Sequence, residues 1–583
     1  MKQIALAVSI LALAACGGPK ADAPADTPPE AATPPATSEA LLLPLPTDTT
    51  ADITASDLAV RIKTLADDTF EGRGPGTPVG EAAAAWVGAE MARVGLQPGG
   101  DDGTYFQKVA MVNQTIDPDQ SFLTFTAPDG TEMPTVLKED VVIWTKHQDS
   151  DTINFAPSDV VFVGYGIDAP EYQWNDYGDQ DYTGKTVIIL VNDPGFATGD
   201  PDLFKGNAMT YYGRWTYKFE EAARRGAAAA IIVHETEPAA YGWDVVKNSW
   251  SGAQSDLVRA DGGADRALME GWVTRDMAQK LFASAGLNFD DMKTAAKTRG
   301  FQAVPMTGLK ATGEIEQTIE NLDSRNVIGV LPGTTAPDEY VLYTAHWDHL
   351  GKKTGKKTGA PGEDFYQDQI YNGAVDNATG VSALLEMAEA FKAQPHDRSL
   401  LFVSVTLEES GLLGSEYFAE HPTVPLNKIV AGINMDGALP IGLTKDMVVI
   451  GYGASELEDR LKAVLDAQGR VIKPDGKPEA GYFYRSDHVS LAKRGVPMLY
   501  ADGGEDKVEG GIAAGKAAAA AYTAERYHKP MDEYSDSWDL AGFTQDIQSL
   551  FAVGEGIADS TDWPTWYPGN EFEAVRKDSL ASN

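Results

Sequence analysis

The sequence predicts an α/β protein: a mainly parallel sheet flanked by helices, with a β-rich module inserted ahead of most of it. Three observations lead there. From about residue 319 onward, continuous apolar runs (NVIGVLPG, YVLYTAHWD, SLLFVSVTLEES, KIVAGINMD, VPMLYADG) alternate with helical stretches such as GVSALLEMAEAFKAQ and ELEDRLKAVLDAQG. Strands apolar on both faces belong to a buried parallel sheet, and the helices between them supply the crossovers. From about 118 to 318, short runs such as SFLTFTA, VVFVGYGI, TVIILVND and AAAIIVHE are separated by Gly/Asp/Pro turns, with one helical stretch, YKFEEAARRGA. From Asp52 to about Gln107, DLAVRIKTLADD and GEAAAAWVGAEMARVG place apolar residues three and four apart, which predicts two amphipathic helices.

A chain of 583 residues is too long for one compact core. Its opening, MKQIALAVSILALAAC, carries Lys2 and an apolar run from Ile4 to Ala15 that is too short to span a membrane. Leu13-Ala14-Ala15-Cys16 resembles a bacterial lipobox, in which the cysteine is lipidated and becomes the mature N-terminus. Residues 1–15 are therefore expected to be a lipoprotein signal peptide, and 16–48, rich in Pro, Ala and Thr, a disordered tether. The remainder divides into 49–117 (first part of the main domain), 118–318 (the insert) and 319–583 (the larger part of the main domain). The protein is expected to be exported and held to the cell envelope, at the outer membrane facing periplasm or surface, through its N-terminal lipid alone.

Composition excludes several classes. Hydrophobic residues at 43% and charged residues at 23% are those of a folded soluble protein. Asp+Glu outnumber Lys+Arg 86 to 47, a formal charge of −39 that repels phosphate backbones and argues against nucleic-acid binding. Cys16 is the one cysteine, so no intrachain disulfide exists. Two phosphate-like motifs also fail. EGRGPGTPVG follows no strand and reads as a turn. Thr183-Gly184-Lys185-Thr186 has Asp179 where a P-loop needs glycine, and it enters a strand rather than a helix.

The chemistry gathers in the last domain, where strand after strand ends in an acid or an imidazole. VLYTAHWDHLG delivers His346, Asp348 and His349; LLFVSVTLEES delivers Glu408 and Glu409; IVAGINMDG delivers Asp436. IYNGAVDNATG places Asp376 ahead of a helix, and ERYHKPMDEY places Tyr527 and His528 near the end. Ligands of open α/β sheets bind beyond the carboxyl ends of the strands, so these groups can converge. Converging carboxylates are compensated by divalent cations, and His/Asp/Glu ligation without thiolates suits zinc, with cobalt or manganese as substitutes. The set exceeds what one catalytic zinc needs and suits two ions sharing a carboxylate.

AHWDHLG, NGAVDNATG, TLEESGLLGS, NMDG and RYHKPMDE, in this order, resemble the dinuclear zinc exopeptidases, a family that includes secreted bacterial leucyl aminopeptidases and glutamate carboxypeptidase II. The resemblance covers most of residues 50–565, and the insert looks like the protease-associated domain of many members. It implies His346 and Asp436 on one zinc, Glu409 and His528 on the other, and Asp376 bridging. It implies Asp348 on the second ring N–H of His346, Glu408 as general base, Tyr527 as donor to the oxyanion, and a cis peptide at Asp376-Asn377. Asp487 and His488, in RSDHVSLAKRGVP, are candidates for the substrate pocket together with Arg485, and Trp347 for its wall; His349 is expected to be structural or at the rim. His147, His234, His396 and His421 fall outside every motif and read as surface or loop residues. KKTGKKTGAPGEDFYQDQ, between His349 and Asp376, reads as a solvated loop or a lid.

The expected activity is that of an exported aminopeptidase acting on peptides. Alternatives are a carboxypeptidase of the same fold, which would need arginines for the terminal carboxylate, a glutaminyl cyclase, which uses one zinc, and a non-catalytic receptor-like protein, which would lack the ligands.

Overall fold

The computed structural model describes residues 41–353 and 369–581. The signal peptide, Cys16, most of the tether and nearly all of the loop before Asp376 lie outside the described residues. The last stretch assigned to the tether is part of the fold. Leu41, Leu43 and Leu45 pack against the main core, and the carbonyl of Pro44 accepts the indole N–H of Trp86 at 3.2 Å. Leucines alternating with a polar or solvent-facing position cover apolar surface, which a proline-rich linker does not.

The main domain is built from α1 (Ala55–Leu65), α2 (Pro78–Arg93), β1 (Phe106–Ile116), β2 (Val304–Leu331), β3 (Ala336–His346), α3 (Thr379–Phe391), β4 (Arg398–Val405), β5 (Ile429–Asn434), β6 (Met498–Asp502), α4 (Gly511–Glu525) and α5 (Ala541–Ala558). β4, β3, β5 and β6 lie side by side in that order, all parallel, while β2 and then β1 continue the sheet antiparallel beyond β4. The parallel strands are buried along nearly their whole length, as their unbroken apolar runs predict. From β3 the chain moves to β4 on one side and later to β5 on the other, so the carboxyl end of β3 is the switch point of the sheet.

The insert differs in two respects from a simple β-rich module. Its strands Thr152–Phe162, Thr186–Leu190, Ala229–His234 and Met269–Thr274 are mutually parallel, with helices among them, so it is itself α/β. Nor does it end at 318. β2 runs unbroken for 28 residues: its first half pairs with insert strands and its second half with β1 and β4. The alternation of VPMTGLKATGEIEQTIENLDSRNVIGVL carries no mark of the sheet-to-sheet handover, so the sequence offers no boundary there.

The N-terminal helices are tied to α3 by a buried charge cluster. Arg61 of α1 donates through Nε to Glu90 of α2 at 3.0 Å, and through its two terminal nitrogens to Glu386 and Glu389 of α3. Two histidines read as surface or loop residues are instead buried: His234 faces the carbonyl of Tyr241, and His396 meets Asp559. No described helix is long and apolar enough to cross a membrane.

Candidate metal centre

Four segments meet at the switch point. β3 ends at His346, the turn after β4 carries Glu408 and Glu409, the segment after β5 carries Asp436, and the loop before α3 carries Asp376. His528 follows α4, with its backbone at φ 56°, and swings in from the far side. The peptide between Asp376 and Asn377 is cis, as the resemblance implied.

Nitrogen and oxygen atoms fall into two sets that share Asp376. His346 Nε2 lies 3.3 Å from Asp376 Oδ1 and 3.2 Å from Asp436 Oδ1. His528 Nε2 lies 3.3 Å from the other oxygen, Asp376 Oδ2, and 3.1 Å from Glu409 Oε2. Two atoms ligating one zinc tetrahedrally at about 2.0 Å stand about 3.3 Å apart, the separation each histidine keeps from its two carboxylate oxygens. Asp376 offers one oxygen to each histidine.

His349 is not a rim residue. It is 1% exposed, and its Nδ1 stands 2.5 Å from Glu409 Oε1, the oxygen facing away from His528. Its donor atom does converge with those of Asp376 and Glu409. Neither that nitrogen, nor the other ring nitrogen, nor Glu409 Oε1 has a hydrogen-bond partner among the described residues.

Asp348 departs from expectation. The second ring nitrogen of His346 faces the main-chain carbonyl of Asp348 at 3.1 Å, with the carboxylate at 3.8 Å, too far for a hydrogen bond. The carboxylate instead accepts the backbone N–H of Glu408 at 3.2 Å, so Asp348 ties the β3 turn to the β4 turn. Glu408 Oε2 lies 4.0 Å from His346 Nε2. Burial pushes its carboxyl well above the usual range, His346 opposes this, and Asp436, Asp487 and Glu409 add to it. Tyr527 stacks on His528 with ring centres 3.9 Å apart. Burial first, then Asp376, Glu409 and Glu408, hold its hydroxyl protonated, ready to donate.

The pocket candidates do not line the opening. Asp487 and His488 are fully buried behind Asp436; His488 sits between Phe483 and Tyr500, and burial lowers its imidazole to about 3, so it is a neutral core residue. Trp347 is likewise core, with its indole N–H on the Arg325 carbonyl at 2.9 Å. Arg485 is partly exposed, its guanidinium 5.4 Å from the ring of Tyr482.

Other supports escaped the sequence reading. Ser486 Oγ donates to Asp436 Oδ2 at 2.7 Å and accepts from Asn434 Nδ2 at 2.8 Å. The carboxylate of Asp532 accepts the N–H groups of Val375 and Asp376 at 3.1 Å, and its carbonyl accepts that of Ala374 at 3.0 Å, holding the Asp376 loop from its amide side. Both residues lie inside the motifs RSDH and HKPMDE, which was the available signal.

An α/β sheet whose switch point gathers two imidazoles and three carboxylates, one of them shared, carries a candidate metal centre where open sheets place their ligands. Residues 326–552 match the model of Peptidase family M28. Among curated proteins the chain is similar to Aminopeptidase YwaD of Bacillus subtilis (strain 168), 30% identical over 130 residues, which is 20% of this chain and 25% of the relative. It is similar to Aminopeptidase NAALADL1 of Mus musculus, 30% identical over 149 residues, 24% of this chain and 17% of the relative. A Pyrenophora teres f. teres (strain 0-1) relative, described as a probable zinc metalloprotease, is 30% identical over 129 residues, 22% of this chain and 25% of the relative. The chain thus spans about a quarter or less of the length of these relatives. Among solved structures, the aminopeptidase from Aneurinibacillus sp. strain AM-1 aligns at TM-score 0.45 and 17% identity over 87% of this chain and 94% of that one.

Proposed function

We propose that this chain is a two-zinc aminopeptidase that removes the N-terminal residue of peptides. The observation that carries the reading is the pair of ligand sets sharing Asp376, with Glu408 beside them. His346 and Asp436 would hold one ion, His528 and Glu409 the other, and Asp376 both. When bound, the ions polarise the scissile carbonyl and make a water acidic near neutral pH.

The chain supplies the proton chemistry. Glu408 takes a proton from the attacking water as its oxygen bonds to the carbonyl carbon, then passes it to the nitrogen of the leaving amine as the C–N bond breaks. The Tyr527 hydroxyl donates to the carbonyl oxygen as negative charge develops there. Asp348, Ser486 and Asp532 hold the acting groups in place. Aminopeptidase activity is favoured by the names of the bacterial and mouse relatives. We also place the protein outside the cytoplasm, lipidated at Cys16 and touching the membrane through that lipid alone, on the strength of residues 1–16; the insert is read as a protease-associated domain, and peptides as substrates.

The decisive test is zinc content together with hydrolysis of amino-acyl p-nitroanilides and their N-acetylated forms by protein lacking residues 1–20. Two zincs per chain and cleavage of free-amine substrates alone are expected; cleavage of the acetylated forms at equal rate would refute the aminopeptidase reading. One observation favours a carboxypeptidase: Arg214 and Arg485 form no ion pair among the described residues, and Arg214 Nε and Arg485 Nε are buried without partners. Cleavage confined to peptides with a free C-terminal carboxylate would select it.

Zinc loading should also release protons. Burial alone would lower the His528 imidazole, but Glu409 and Asp376 outweigh it and carry it up to about 10; His346 is raised too, by Glu408 and Asp436 against its burial. Both imidazoles are thus protonated in the metal-free site at neutral pH and must lose a proton to ligate. Calorimetry in buffers of differing ionisation enthalpy should show at least two protons released per two zincs, with affinity falling as pH falls. Release of none would contradict ligation by these histidines.

A further inference from the structure

Beneath the metal centre lies a charged residue that the reaction does not use. Arg73 sits in the glycine-rich turn EGRGPGTPVG, with φ at 49° and 1% of its surface exposed. Its Nε donates to the carbonyl of Trp347 at 2.7 Å, Nη1 to those of Leu65 at 2.8 Å and Asn372, and Nη2 to that of Gly373 at 2.9 Å. Four bonds from the five N–H groups of a guanidinium therefore end on main-chain carbonyls, and none ends on a carboxylate.

The choice of carbonyls is informative. Trp347 stands between His346 and Asp348, while Asn372 and Gly373 run directly into the loop of Asp376. The turn itself is locked to the same two segments. The N–H of His349 donates to the Arg73 carbonyl at 3.3 Å, and that of Gly351 to the Gly72 carbonyl at 2.9 Å. A Cβ on Gly72 would come within 2.5 Å of the carbonyl oxygens of both Gly351 and Tyr371, so only glycine allows this approach. Burial lowers the guanidinium to about 10 against the opposing pull of nearby carboxylates, so its charge is held chiefly by these carbonyl dipoles. Asp532 grips the Asp376 loop by its amides; Arg73 grips it by its carbonyls and ties it to the loop of His346.

We propose that Arg73 is a positioning residue that fixes the spacing between the His346 loop and the Asp376 loop, and thereby sets the metal affinity and turnover of the centre. The inference rests on the two-zinc reading above. A lysine cannot replace it, because one ammonium cannot reach carbonyls on three separate segments as a planar fork does.

The test compares wild type with Arg73→Lys and Arg73→Met by zinc affinity against a competing chelator, kcat and KM on one amino-acyl p-nitroanilide, and thermal midpoint. Both variants are expected to bind zinc ~10- to 100-fold more weakly and to lose kcat by a similar factor at saturating zinc, with KM little changed. A lowered midpoint with wild-type zinc affinity and wild-type kcat would reduce Arg73 to a merely structural role and overturn the proposal. Should Arg73→Met not fold, Arg73→Lys, which keeps charge and most of the volume, carries the comparison alone. Wild-type protein that binds no zinc would instead overturn the two-zinc reading, and this inference with it; wild type that binds two while Arg73→Lys binds them equally well sinks this inference alone.

Discussion

Glu408→Gln should lower kcat at least ~10²-fold while the protein keeps two zincs per chain. Both halves of this expectation come from geometry. Glu408 belongs to neither ligand set: Asp376, Asp436, Glu409 and the two histidines account for every N···O separation near 3.3 Å, while Glu408 Oε2 stands 4.0 Å from His346 Nε2. Removing its charge should leave the ions in place. Its carboxyl is nonetheless positioned to carry a proton: burial raises it, and the backbone N–H of Glu408, held by Asp348, fixes the turn it projects from. Glutamine preserves shape and hydrogen-bonding capacity but cannot take the proton from water, so the loss should fall on kcat with KM close to wild type. Loss of zinc along with activity would make Glu408 a ligand; near-normal turnover with both zincs retained would remove it from the proton path.

The ligands were legible in the sequence because of where parallel strands end. An acid or histidine closing an apolar run must lie at the carboxyl edge of the sheet, and His346, Glu409 and Asp436 are placed there by the strands alone; Asp376 and His528 needed the ordered motifs. The supports around them were not legible, because their partners are far apart in the chain. Arg73 reaches Trp347 and Asn372 from a turn that reads only as glycine-rich, and nothing in EGRGPGTP reveals its destination. His349 could be ranked only by proximity to the motif, since its burial against Glu409 depends on the fold of the β4 turn. For Asp348 the pairing was expected from the carboxylate, but a carbonyl two residues along the same turn reaches the ring first. Trp347, Asp487 and His488 were read outward because motifs draw attention to every residue in them, whereas alternation about a strand end or short helix turns some of them into the core. The direction of the insert's strands was not legible for a related reason: short apolar runs with few clear helices between them do not reveal it. β2 hid the handover between sheets inside one continuous alternation.

Arg61→Ala is expected to cost about 3–5 kcal/mol of stability near pH 8, and less under mildly acidic conditions. Arg61, Glu90 and Glu386 have fully buried side chains and Glu389 is largely covered, so this one guanidinium serves three carboxylates from α2 and α3. Arg93 also contacts Glu90 and Glu389, but from a partly exposed position, and it does not reach Glu386. Without Arg61, Glu386 would keep only the backbone N–H of Thr54 at 2.9 Å as a compensating donor. The pH dependence follows from Glu386. Burial raises its carboxyl from 4.5 to about 7 even with Arg61 opposing the rise. A carboxyl raised in the folded state holds a proton that the unfolded chain has already lost, so stability falls as pH climbs from the unfolded value through the folded one. Removing the opposing cation raises the folded value further and extends that loss to higher pH. Thermal midpoints of wild type and variant should therefore run parallel below about pH 6 and diverge above about pH 7, with the gap widest at the alkaline end. A gap independent of pH would mean that the cost is lost packing of the arginine stem rather than stranded carboxylates. Since α3 begins immediately after the Asp376 loop, the same variant should also loosen zinc binding, although its charge never touches the metal centre.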